Sequence, residues 1–172
     1  MAVLFIVDAN VLIDYEVSDR TVLALYSQHI GKVHVPQDIA DEVTQLQQTD
    51  YDQLDLRIVQ PSSAQYAEAG PRMPGVSFED RLCFLMARDE GWTCISNDGP
   101  LRRLCDGNRI PVLWGLEPML ALIRRGHLSA DAAIQVAETI HRDNPYVTRK
   151  IVDEFTRKAR GVLRKASRRS GV

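Results

Sequence analysis

Short apolar runs that alternate with helical patterns constrain this chain more than any other feature. Residues 3–7, 32–35, 56–59, 92–96 and 111–114 are brief, β-rich and mostly apolar. Between them lie stretches with helical periodicity, at residues 20–30, at about 37–46 and at 77–90, the last closing at Gly91. Uninterrupted apolar strands separated by helices make βαβ units, and such units build a parallel sheet covered on both faces. After Trp114 the strand signal stops, and residues 116–125, 129–142 and 148–167 are expected as three helices. Ser129 and Thr148 are suited to cap the last two, and Asn144-Pro145 separates them. The expected architecture is α/β, a three-layer α/β/α sandwich over residues 1–125, with a basic helical extension over 126–172 packed on or flanking it.

The chain's 172 residues suit one domain with an appendage, and 45% apolar residues suffice for a sizeable core. Aromatic residues make up only 6%, which speaks against base-stacking platforms as the main mode of action. Trp92 and Trp114 adjoin apolar strands and are expected in or over the core. The apolar start is too short to span a membrane, lacks a basic leader, and is broken by Asp8 and Asn10. It is expected to be a buried strand of a cytoplasmic protein. The cysteines Cys83, Cys94 and Cys105 are odd in number and form no Cys-x-x-Cys pair, so free thiols are expected. The four histidines form no ligand motif, and no phosphate loop or nucleophile elbow is present.

The net charge of −2 hides a split. Residues 1–123 carry 9 Lys and Arg against 18 Asp and Glu, a balance of −9, whereas residues 124–172 carry 12 against 5, or +7. An acidic body with a basic tail suits a cation site in one part and a polyanion contact in the other. In the tail, Arg157, Arg160 and Arg164 recur at three- and four-residue spacing and would share one helix face, able to hold phosphates by charge. The alternative is a helix that packs through Ile151, Val152, Phe155, Val162 and Leu163 and leaves its charges in water.

Open parallel sheets bind ligands beyond the carboxyl ends of their strands. Asp8 ends the first strand, and Asp98 follows the fourth by two residues. Glu42 lies at the edge of the apolar stripe of Ile39, Val43 and Leu46, while Asp41 points away. Asp80 shares a helix face with Cys83, Phe84, Ala87 and Gly91, and so looks inward. Each acid has a plainer role available. Asp8 can cap a helix, Asp80 can complete a capping box with Ser77, Asp98 can form a turn before Pro100, and Glu42 can be a surface charge. The conjunction carries the signal, because four converging acids repel one another and a divalent cation removes that conflict. Oxygen-only ligands suit Mg²⁺ or Mn²⁺ rather than zinc.

Four segments together resemble the PIN-domain nucleases. They are Val7-Asp8-Ala9-Asn10-Val11-Leu12-Ile13-Asp14, the Glu42 helix after Val35-Pro36, Ser77-Phe78-Glu79-Asp80, and Ile95-Ser96-Asn97-Asp98-Gly99-Pro100-Leu101. The resemblance implies an α/β sandwich and hydrolysis of RNA phosphodiester bonds with Mg²⁺ or Mn²⁺, leaving 5′-phosphate and 3′-hydroxyl ends. It also implies that Asp8, Glu42, Asp80 and Asp98 are both the metal ligands and the catalytic acids. Asn10 and Ser96 would support them, with Asp14 as an outer candidate that could equally be a solvated helix charge. Many members are toxins of bacterial or archaeal toxin–antitoxin pairs. An antitoxin protein and a second copy of the chain are therefore candidate partners besides RNA. The basic tail departs from a minimal toxin of that kind. Two other readings remain open: a non-catalytic PIN-fold module that binds protein or RNA, and an aspartyl phosphatase with Asp8 as nucleophile. The latter usually wants a second acid where Asn10 stands.

Overall fold

A computed structural model describes residues 4–169, except the side chains of residues 163–169. Five strands form one all-parallel sheet: β1 (Phe5–Val7), β2 (Val33–Pro36), β3 (Arg57–Val59), β4 (Thr93–Ile95) and β5 (Val112–Leu113). Their order is β3-β2-β1-β4-β5. The chain moves outward from β1 to β3, then returns to place β4 on the other side of β1. The order therefore reverses between β1 and β4, where Phe5 lies opposite Thr93. A crevice opens at such a reversal beyond the carboxyl ends of the two strands.

Ten helices lie among the described residues. Those in the first half are α1 (Ala9–Ser18), α2 (Thr21–His29), α3 (Gln37–Glu42), α4 (Gln48–Gln53) and α5 (Ser63–Ala69). The second half adds α6 (Phe78–Glu90), α7 (Gly99–Gly107), α8 (Glu117–Arg125), α9 (Ala130–Asp143) and α10 (Arg149–Arg169). Every residue of β1, β2 and β4 is buried, which requires cover on both faces of the sheet. Helix α6 packs on β1, β2 and β4 and touches α5 and α7, while α2 packs on β2 and touches α1 and α8. This layering is compatible with a three-layer sandwich.

Local chemistry explains the element ends. The Ser77 hydroxyl accepts from the Asp80 amide at 3.0 Å and starts α6, and Gly91 ends it at φ +69°, a conformation that glycine adopts without strain. Helix α3 is shorter than its apolar stripe suggested, ending at Glu42 rather than near Leu46. Val43 and Leu46 are both buried after a turn, and the Gln47 and Asp50 side chains then form a capping box that opens the unforeseen α4.

The basic extension is packed on the body. Helix α9 lies on α1, and α10 lies on α8 and α9. Ala133, Val136 and Ile140 of α9, with Val152, Phe155 and Ala159 of α10, belong to the same apolar core as the sheet. No helix among the described residues is long and apolar enough to cross a membrane.

Candidate active site

Asp8 follows β1 directly and is fully buried. Its Oδ1 accepts from the Val11 amide at 2.8 Å, so it is the N-cap of α1, and its Oδ2 accepts from the Ser96 hydroxyl. The capping role and the inward placement thus coincide in one side chain. Burial, opposed by these two hydrogen bonds and reinforced by the charges of Asp80 and Asp14, pushes the Asp8 carboxyl up to about 7.

Ser96 is buried just past β4, and its oxygen also accepts from the Asp98 amide at 2.9 Å. One hydroxyl therefore ties Asp8 to Asp98. Asp98 caps α7, accepting from the Leu101 amide at 2.7 Å, with Pro100 in the first turn as its lack of an N–H allows. Asp80 is the third residue of α6 and is partly buried. Its carboxyl is raised by burial, against the Ser77 hydroxyl, with Asp98 adding repulsion. Glu42 ends α3 and is exposed, its carboxyl raised by partial burial and then by Glu79 and Asp80. Repulsion between neighbouring acids adds to burial as a smaller cause. Asp80 raises both Asp8 and Glu42, and Asp98 raises Asp80.

The donor set is all oxygen, the chemistry that hard divalent cations take. Among the described residues, however, no three His, Cys, Asp or Glu side chains stand together as a ready-made ion cage.

The supporting residues differ in fate. Ser96 does hold Asp8, whereas Asn10 lies exposed on the first turn of α1. Arg157 and Arg160 are exposed on α10, and the Arg164 side chain lies outside the described residues. Asp14 is not a solvated charge. It is 6% exposed, accepts from Asn144 Nδ2 at 2.9 and 3.1 Å and from Asn97 Nδ2 at 3.2 Å, and burial raises its carboxyl to about 6. Its spacing of three from Val11 puts it on the buried face of α1, a signal the sequence did contain. Asn97 also accepts from the Gly115 amide at 2.9 Å, so one side chain joins α1, the β4 end and the β5 end. A Cβ on Gly115 would lie 2.5 Å from the Asn97 amide nitrogen, so a larger residue here would have to displace that side chain.

Trp114 corrects a second expectation. Trp92 is buried and stacks on His34 at 4.1 Å, but Trp114 is 44% exposed beside the crevice. The Arg102 guanidinium covers its ring at 3.6 Å from the centroid, and Arg102 also donates to the Ser96 carbonyl at 3.1 Å. All three cysteines are free and buried.

Neither a family model nor a curated protein sequence matches the chain. The functional reading rests on the residues and their arrangement.

Proposed function

We propose that this chain is a PIN-like ribonuclease that hydrolyses RNA phosphodiester bonds with Mg²⁺ or Mn²⁺. The observation that carries the reading is the Ser96 hydroxyl at the β1/β4 reversal, which donates to buried Asp8 and accepts from the Asp98 amide, with Asp80 adding repulsion to Asp8. A site that gathers negative charge without a cation is destabilised by it, which is the electrostatic pattern of a cation-binding centre. Asp8, Glu42, Asp80 and Asp98 would hold the ion. When bound, such an ion draws charge from a phosphate oxygen and makes water a stronger nucleophile.

The chain's own groups do the positioning. Ser96 donates to Asp8 and fixes the orientation of its buried carboxylate. The same hydroxyl accepts from the Asp98 amide and holds the start of α7 against β4. Helices α1, α6 and α7 each begin at the crevice, so their N-terminal amides and dipoles partly offset the local negative charge. Membership of a toxin–antitoxin pair is the biological setting that the PIN resemblance favours.

The test is cleavage of mixed RNAs with Mn²⁺ or with EDTA, comparing wild type and Asp8→Asn. Metal-dependent products with 5′-phosphate ends, lost in Asp8→Asn, are expected. The absence of a preformed ion cage favours a second reading, a non-catalytic PIN-fold module that binds RNA or protein. RNA binding without cleavage at any metal concentration would select it.

A further inference from the structure

Arg81, next to Asp80 on α6, is a largely buried residue whose guanidinium has few protein partners. It is 7% exposed. Its Nε donates to the Ser77 carbonyl at a long 3.3 Å, and its guanidinium lies 5.9 Å from the centre of the Phe78 ring. Among the described residues it makes no ion pair, and its other four N–H groups have no acceptor. Its terminal nitrogens reach solvent, so their donors are open to a ligand. Adjacent Glu79 and Asp80 project at other angles from the same helix turn, and Asp80 lies toward Asp98 instead.

The guanidinium lines an open cavity of about 580 Å³, shared with Arg72, Met73, Pro74, Val76 and Phe78. Arg72 is exposed, so the cavity carries two guanidinium groups and no carboxylate in its lining. Its wall is the turn at Gly75, which has φ +78° and rests near Pro100 at the start of α7. Phe78 and Arg81 lie in the first turns of α6, so the cavity borders the start of that helix. A guanidinium with free, forked donors matches the oxygens of a phosphate, which it can hold through two parallel hydrogen bonds.

We propose that Arg81, assisted by Arg72, binds a phosphate group in this cavity. That the group belongs to an RNA strand running on toward Asp80 rests on the ribonuclease reading; the anion site itself does not.

The experiment uses the full chain in EDTA, so that no ion at the acids can recruit phosphate. Melting temperatures are compared in inorganic phosphate and in chloride at equal ionic strength. Phosphate at a hundredfold its Kd should raise the wild-type midpoint by about 5–10 °C. In Arg81→Met, which keeps an unbranched side chain but none of its donors, that rise should vanish. Arg81→Lys, which keeps the charge but not the fork, should retain a smaller phosphate response. A second arm measures binding of a single-stranded oligoribonucleotide by the same variants. Roughly tenfold weaker binding by Arg81→Met identifies a strand phosphate, and unchanged binding beside an intact phosphate response identifies a free phosphate compound. Equal phosphate shifts in wild type and both variants, or none in the wild type, overturn the proposal. Cleavage activity enters neither arm, so failure of the nuclease reading leaves this test standing.

Discussion

Asp8 is the residue on which fold and chemistry meet. Its folded carboxyl is pushed to about 7 from an ordinary 3.8, so the native state holds a proton that the unfolded chain releases. The resulting stabilisation is complete below about pH 4 and is lost as pH rises through about 7, where the buried site must carry the negative charge. At one pKa unit per 1.36 kcal/mol, that loss reaches up to about 4 kcal/mol. Melts of metal-free protein should therefore fall between pH 4 and 7, and Asp8→Asn should flatten the fall. Adding Mn²⁺ at pH 7.5 should raise the wild-type midpoint and scarcely move that of Asp8→Asn. Equal metal shifts would place the ion elsewhere. Ser96 offers a second check at this scale. Ser96→Ala removes a donor that lowers the Asp8 carboxyl, so the pH-dependent loss should extend above 7. The unsatisfied buried oxygen should cost about 1–3 kcal/mol in urea unfolding.

Helix starts define the site at the level of elements. Asp8, Ser77 and Asp98 are all N-caps, so the side chains that open α1, α6 and α7 also line or flank the crevice. A cap is held by its own backbone, so these side chains are positioned before any ligand arrives. The Asp14–Asn97–Gly115 junction ties α1 to the ends of β4 and β5, and the Tyr15 hydroxyl adds a 2.5 Å bond to the Gly115 carbonyl. Gly115→Ala would drive a methyl group into the Asn97 amide and displace it from Asp14. The expected cost is about 1–3 kcal/mol, typical of overpacking. On the proposed function, RNA cleavage should fall as well, because Asn97 lies between Ser96 and Asp98. A Gly115→Ala protein with unchanged melting and activity would show that the junction is slack.

Over the whole molecule, the acidic body and basic tail are one packed unit. Removing α10 would strip Val152, Phe155 and Ala159 from the core, so truncation would test folding rather than RNA contact. Surface substitution separates the two. Arg157 and Arg160 are exposed, and their replacement by Ala should leave melting within about 0.5 kcal/mol of wild type. If each neutralises one RNA phosphate, the double variant should lower the slope of log affinity against log salt by about 1.4, at about 0.7 per contact for single strands. An unchanged slope would relegate these arginines to solvation. The apolar stripe on α10 accounts for its packing, and charge on the opposite face is free for a second purpose.

The alternation of apolar runs with helical periods determined the parallel α/β architecture, the five strands and the last three helices to within a few residues. Side-chain period and burial are local statements about the chain. Placement of acids at strand ends was legible for the same reason, because a parallel sheet sends every strand's carboxyl end to one edge. The strand order was not local. Only the tertiary fold put β4 beside β1, and hence Ser96 against Asp8. A solvated Asp14 is compatible with its helix, yet the side chain is buried, because its partners Asn97 and Asn144 are distant in sequence and only packing brings them to it. Trp114 adjoins an apolar strand, yet its ring is held at the surface by Arg102, a contact that no periodicity encodes. Helix α3 stopped early because burying Val43 and Leu46 required a turn there. The sequence by itself therefore determined the strands, most of the helices and the acids at the strand ends, but not α4. The tertiary structure decided which of those ends meet, because hydrogen bonding and desolvation depend on neighbours in space rather than along the chain.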